Sequence, residues 1–455
     1  MLNRTFINNI TEYYKDNNEV TIKNILVDKN NLLLIYADSL IDTYKIEKFI
    51  VPTISELLNE KKSVNKRNIF ASSTLNKNNF NDIDNAIYSG SIVVYVYKQK
   101  QLYSFECPAL PSRTPTPSVN AITTMGAQDC FVENIKTNQA LVHYRYKNND
   151  LKSFEFVIGK DTKTKAVIFY IDSKMDKNLI EDIKKKVDSL DMNDAINISR
   201  IQKQLATPGK ETLFPLMEYT YKPDFVIDSM LKGKFVMFVD GIPVASIGPA
   251  NIYTFMGFHY ASQETYVTGL FEMTLSYISL FIAIFLSGFI CAIVEFFPEF
   301  IPYSLIANIY STRKGVFLTF STEMILVEII FQILRLAGTR LPNHISATII
   351  VIGSIIVSEI GVASGMFGPY VLFISAIVMI ASFAISNNSS FNIAVNICRI
   401  LIMFASAIWG IYGFAISSLF VLVYISSLSS FSVPFLYPFA PLNFKQLKKG
   451  GKIHE

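Results

Sequence analysis

The chain has 455 residues, 51% of them apolar, with 36 Phe and 23 Tyr but one Trp; 41 Lys+Arg against 37 Asp+Glu leave a net charge of +4, too little to point to nucleic acid. Residues 1–265 carry 62 of the 78 formal charges, whereas residues 266–442 carry 11 in 177 positions. That division excludes a wholly soluble protein, since the second stretch holds several runs of the roughly 20 apolar residues that cross a bilayer.

Met1 to Lys29 is polar throughout, with no apolar run before a small-residue cleavage site, so no export signal is read there. Strands are expected at Leu32–Tyr36, Ser91–Tyr97 and Leu102–Phe105 from their branched and aromatic content, with Lys98–Gln101 as a hairpin turn. Asn76–Asn81 is polar enough for a loop. Cys107–Thr123 carries Pro108, Pro111, Pro115 and Pro117 and reads as a linker.

A second soluble stretch begins near Gly126. Asp129 is placed to cap a helix through Phe131, Ile135, Asn138 and Val142. Phe154–Ile158 and Ala166–Ile171 read as paired strands, and Asp176 opens a helix with Ile180, Ile183, Val187 and Leu190 on one face. After a looser region, Pro223 starts a helix that Gly233 stops. Lys234–Asp240 is a strand, Gly241 a turn, and Val244–Ile247 the answering strand. Thr207-Pro208-Gly209-Lys210 is a turn and no phosphate loop.

Apolar segments follow at Leu270–Phe296 and near 316–336, 345–363, 366–386 and 393–430. The last is long enough for two helices turning around Gly410–Gly413, which gives four to six crossings. Pro298–Pro302 is a break and Tyr303–Tyr310 a short amphipathic or re-entrant piece. Lys445, Lys448, Lys449 and Lys452 put the C-tail inside with the N-terminal region, while Arg313 and Lys314 conflict with a simple count.

Charge within these segments is costly and therefore informative. Glu328, Gln332 and Arg335 form one helical stripe, either lining an ion path or serving as inter-helical glue; Glu323 lies nearer an interface. Ser354, Ser358, Gly361 and Gly365 form a small-residue row that admits a close helix or a narrow water path, with Glu359 beside it. Arg399 needs a partner, water or a route to the interface. Cys107, Cys130, Cys291 and Cys398 are scattered and form no CxxC, and no zinc shell, cofactor site or nucleophile–base set is apparent. Asp129, Glu133 and Asp240 read as capping or solvated carboxylates, so an enzyme is not expected.

Ordered motifs over roughly 126–442 resemble the A subunits of bacterial spore germinant receptors and their auxiliary spore-membrane relatives. They run from Gly126-Ala127-Gln128-Asp129-Cys130-Phe131-Val132-Glu133 through Val239-Asp240-Gly241-Ile242-Pro243 to Pro298-Glu299-Phe300-Ile301-Pro302. Arg313-Lys314-Gly315, Leu334–Pro342 and Ser427–Leu436 with Pro438 complete the set. Lys314 stands where that family's pattern has an acidic residue, Glu359 where it has glutamine, and the C-tail is short.

The resemblance implies a nutrient-sensing complex of the spore inner membrane, multi-pass, with a B-type membrane subunit and a C-type lipoprotein. It also implies an oligomer around a path for monovalent ions; the alternative is a non-conducting auxiliary or scaffold protein. The expected fold class is α+β: a mixed alpha/beta cytosolic region in two subdomains (1–115 and 116–265), a polytopic alpha-helical membrane domain (266–442) and a basic tail (443–455).

Overall fold

A computed structural model describes residues 2–15, 17, 19–27, 30–41, 44, 46, 48, 51–52, 72–75, 79–107, 129–256, 266–341, 343–437 and 439. The proline-rich linker, residues 76–78 of the polar loop, Gly126–Gln128 and the tail lysines lie outside these residues.

The first α/β unit comprises α1 (Leu2–Tyr13), β1 (Val20–Val27), β2 (Asn30–Ala37), β3 (Ser72–Leu75), α2 (Phe80–Ile87), β4 (Ser91–Val96) and β5 (Gln101–Glu106). Its antiparallel sheet has the order β1-β2-β4-β5-β3. The central strands are buried on both faces, because alternate side chains point opposite ways. Leu33, Ile35 and Val93 pack with Ile10, Ile83 and Ile87 of the helices, and Leu32, Leu34 and Val94 join Ile41 and Tyr103 behind.

The second unit holds α3 (Ile135–Arg145), β6 (Leu151–Ile158), β7 (Thr164–Ile171), α4 (Lys177–Asp188), α5 (Ile198–Ala206), β8 (Glu218–Thr220), α6 (Pro223–Leu231), β9 (Phe235–Val239), β10 (Ala245–Gly248) and α7 (Ile252–Phe255). Its sheet order is β6-β7-β9-β10-β8, and Phe154 faces Ile168 across β6 and β7. Pro223 starts α6 as expected. The helix expected from Asp129 starts later: Asn134 caps α3, accepting from Lys136 N and Thr137 N. Asp129 is instead taken by Arg145, whose guanidinium also binds Asp224 at 2.6 Å. The looser region contains α5 and β8.

A polar seam joins the units. Asn17 Nδ2 donates to Tyr88 Oη and Asn149 Oδ1 at 2.8 and 3.1 Å, while the Tyr13 and Tyr14 hydroxyls donate to Asp84. His143 stacks on Tyr88 with centroids 5.1 Å apart, and burial lowers its pKa to about 3.

The apolar half has α8 (Tyr266–Phe281), a π turn at Ile282–Leu286, α9 (Ser287–Phe296), α10 (Tyr303–Thr312), α11 (Phe320–Arg340), α12 (Asn343–Ala363), α13 (Pro369–Phe383) and α14 (Ser389–Ser427), then the β11 (Ser429–Ser430) and β12 (Val433–Pro434) hairpin. Two continuous stretches among the described residues, Val267–Phe296 and Ser389–Ser427, are long and apolar enough to cross a membrane. The second is folded back on itself. Gly410 breaks it with φ 58° and ψ −135°. The Phe214 ring lies 5.5 Å from Phe391 and 6.5 Å from Tyr424, residues that a straight helix would hold about 50 Å apart. Phe391 and Tyr424 therefore lie at one end of a helical hairpin and Gly410 at the other.

Gly410 is required twice over. Its dihedrals suit only glycine, and an added Cβ would sit 2.8 Å from Cγ of Phe296. Gly410→Val is expected to destabilise the hairpin by about 2 kcal/mol or more, read as a lower thermal midpoint in detergent. Adding Phe296→Ala should recover the steric share only. An unchanged midpoint for Gly410→Val would contradict this account of the turn.

Candidate functional site

Among the helices, four charged side chains are held in two buried pairs. Glu328 on α11 and Arg399 on α14 form a buried ion pair, their side chains 5% and 1% exposed. Gln332 Nε2 donates to Glu328 Oε1 at 2.7 Å, one helical turn along. Arg399 NH1 donates to the Ala283 carbonyl at 3.4 Å, inside the π turn where the regular ladder is interrupted. Arg335 is half-buried on the same side and interacts electrostatically with both Glu328 and Arg399. The stripe predicted from the sequence is thus tied to Arg399.

Glu323, also fully buried, receives Arg313 Nε and NH2 at 3.2 and 3.0 Å and the Gly368 N–H. It joins the loop before α11 to the loop after α12. Arg313 is therefore neutralised locally, which weakens its value as a topology signal.

The small-residue row divides. An added Cβ at Gly361 would lie 2.5 Å from the Phe367 ring, so this glycine packs within its own chain. Ser354 and Ser358 are half-buried and donate to the Val351 and Ile355 carbonyls. Gly365, with φ 71°, lies in the loop after α12 against Gly315. Glu359 points elsewhere. It is exposed, on the α12 face that also exposes Ile352, Ile355, Ile356 and Val362.

A second cluster joins the α/β region to these helices. Residues 213–218 form a strap. Leu213 N donates to Tyr424 Oη at 2.8 Å, Phe214 packs among Phe391, Tyr424 and Phe435, and the Leu216 carbonyl accepts from Ser430 Oγ at 2.6 Å. From the sheet, Phe235 meets Phe431 edge-on at 4.9 Å, and from α7 Phe255 stacks on Phe391 at 4.9 Å. Lys186 caps the Phe431 ring at 4.2 Å, and Ile252 N donates to the Phe435 carbonyl at 2.8 Å.

Two ionisable groups are buried here. Glu218 closes the strap, and Asn388 Nδ2 donates to its Oε1 at 3.2 Å. Burial raises its pKa to about 8, opposed by hydrogen bonds from Asn388 and the Tyr219 backbone N–H and by the Lys234 charge. Lys234 donates to Thr254 Oγ1 at 2.6 Å; burial, aided by Lys232, lowers its pKa to about 7. The sequence flagged neither. Glu218 lies in a three-residue edge strand without a motif, and Asn388 read as loop although Asn-Ser-Ser before an apolar run is a helix-start pattern. No group of three or more His, Cys, Asp or Glu placed to hold a metal occurs among the described residues.

A mixed α/β region mounted on apolar helices with paired internal charges defines a membrane-associated protein. Residues 8–450 match the family described as Bacillus/Clostridium GerA spore germination protein, and the chain belongs to that family. Membership places it among germination proteins rather than enzymes. Spore germination protein XA of Bacillus anthracis is 30% identical over 424 residues, 91% of this chain and 85% of that one. The uncharacterized membrane protein YfkQ of Bacillus subtilis is 30% identical over 328 residues, 72% and 63%. Spore germination protein GerIA of Bacillus cereus is 29% identical over 412 residues, 89% and 60%; the chain thus spans about three fifths of the latter two. A crystal structure of the N-terminal domain of the A subunit of the Bacillus megaterium spore germinant receptor GerK3 aligns at TM-score 0.40 and 24% identity, over 54% of this chain and 93% of that one.

Breaking the buried pair should be costly. Arg399→Met strands the Glu328 charge and is expected to cost about 3–5 kcal/mol, whereas Arg399→Met with Glu328→Met should recover most of it. Thermal unfolding in detergent reads both. Additive losses in the double variant would remove the pairing from the account.

Proposed function

We propose that the chain is the A-type subunit of a spore germinant receptor, an oligomeric component that couples nutrient sensing to the release of monovalent ions. Family membership supports the germination role. One observation carries the conducting role: Glu359 is exposed on an otherwise apolar helix face. A carboxylate facing lipid is expensive, so that face belongs against water or another chain. Copies arranged with α12 innermost would put Glu359 on a shared path, where a carboxylate attracts cations.

In this reading, residues 1–115 and 116–265 form two cytosolic subdomains and 266–442 the membrane domain. The crossings are α8 with α9, α11, α12, α13 and the two limbs of α14, six in all. An even number places the N-terminal region and the 443–455 tail on one side of the inner membrane. The pairs Glu328–Arg399 and Glu323–Arg313 brace the bundle, with Gln332 and Arg335 beside the first. Ser354, Ser358, Gly361 and Gly365 keep α12 close to its own neighbours. The partners are the B-type membrane subunit and the C-type lipoprotein.

Glu359→Leu, in full chains reconstituted into liposomes with their partners, is expected to lower cation flux about tenfold, the loss of ~1.4 kcal/mol of cation stabilisation. Oligomer size should not change. Equal flux at equal protein would exclude conduction along this face and favour the non-conducting auxiliary role. For orientation, a single cysteine at the exposed turn residue Lys98, with the native cysteines removed, should resist labelling from outside intact membranes. Labelling from outside would reverse the assignment.

A further inference from the structure

The joint between the strap and α14 is built from aromatic rings and neutral hydrogen bonds, and Glu218 brings a carboxyl group into it. Glu218 is 9% exposed, and its second oxygen, Oε2, has no hydrogen-bond partner. The group that meets it has two tasks. Asn388, 2% exposed, donates to Glu218 through Nδ2, and its Oδ1 accepts from Phe391 N at 3.1 Å, capping α14. One amide therefore ties the start of the hairpin to the edge of the sheet. On the helix side, among the described residues, Ser386 and Asn392 hydrogen-bond around Asn388, and all three are neutral. From the sheet side, Lys234 acts on Glu218 through space, and Lys232 and Asp228, themselves paired at 2.7 Å, act on Lys234.

The Asn388 amide and the Tyr219 backbone N–H do not make up for the water this carboxylate has lost, and the usual resolution is a bound proton. In the neutral acid Oε1 still accepts from Asn388 and the proton sits on Oε2, so a buried unpartnered hydroxyl replaces a far more costly unpartnered charge. The ionised form draws the strap toward water. We propose that Glu218 is a proton-binding site that sets how firmly the second α/β unit grips the α14 hairpin, so that pH on that side of the protein governs the coupling between the two. Its effect on ion release rests on the conducting role proposed above; the grip itself does not.

The direction follows from linkage. Glu218 titrates higher in the joint than in water, so the gripped state holds the extra proton. Grip is full below the ordinary carboxyl pKa near 4.5 and is lost as pH rises to about 8. Lys234 titrates lower in the joint, so its contribution has the opposite sign and restores grip as pH rises above about 7. The joint is weakest from neutral pH to about 8.

Hydrogen exchange of the full chain in lipid nanodiscs, corrected for the intrinsic pH dependence, tests this through peptides covering 213–220 and 386–395. Protection in the unmodified chain should fall about tenfold or more between pH 5 and 8. Glu218→Gln keeps the Oε1 acceptor and removes the titration, so its protection should stay high across that range. Lys234→Met should keep the fall and lose the recovery above pH 8. A flat profile in the unmodified chain, or the same fall in Glu218→Gln, overturns the proposal. Flux measured alongside separates the two readings: exchange that shifts with pH while flux never appears leaves the proton site standing and removes conduction.

Discussion

The reversal at Gly410 is the constraint on which the helical half depends. A chain of 39 helical residues without that break would carry Tyr424 far from Phe391. Folded at Gly410, both ends of α14 arrive at the same place, and the second α/β unit can hold them together through Phe214. The glycine is specified by dihedral and by space, since Phe296 of α9 occupies the position of any side chain. The hairpin is therefore locked to α9 at its turn and to the sheet at its open end.

Burial of charge supplies the second organising rule. Arg399 and Glu328 neutralise each other at mid-bundle, and Arg313 and Glu323 do so where the loops meet. An unpaired charge at either position would carry a desolvation cost that packing alone does not offset. Both pairs bridge different elements, so they fix which helices are neighbours. Arg399 also reaches the Ala283 carbonyl, which gives the π turn of the first long helix a reason to be retained. Glu359, like Glu272 near the start of α8, is exposed rather than buried in a pair, and on α12 it lies among exposed Ile and Val side chains, which is why that outer face asks for company.

Much of this was legible in the sequence where one local signal dominates. Branched and aromatic runs marked β2, β4, β5, β7 and β9, because central strands are buried on both faces. Pro223 and Asp176 marked helix starts, and the paired glycines near 410 marked the hairpin. Val20–Val27 was not marked: as an edge strand it keeps polar Lys23 and Asn24, and its sequence has no continuous apolar run. The Asp129 cap failed because a long-range partner, Arg145, competes for the carboxylate and leaves Asn134 to start the helix. Charges were located correctly in the chain, but their pairing is decided by which helices touch. The joint was invisible for the same reason. Glu218 and Asn388 are 170 positions apart and nothing local links them.

That separation has a consequence for synthesis. Leu213 and Leu216 find their partners only after Tyr424 and Ser430 exist, more than 200 residues later. The second α/β unit thus leaves the ribosome with Phe214, Phe235 and Phe255 uncovered, and it stays so while every long helix is made and inserted. Such delayed closure invites aggregation or capture by chaperones. It also gives the Ser429–Pro434 hairpin the task of closing that surface. Without residues 429–435 the described helices and both larger sheets could form, but the Phe235 ring would lose its cover.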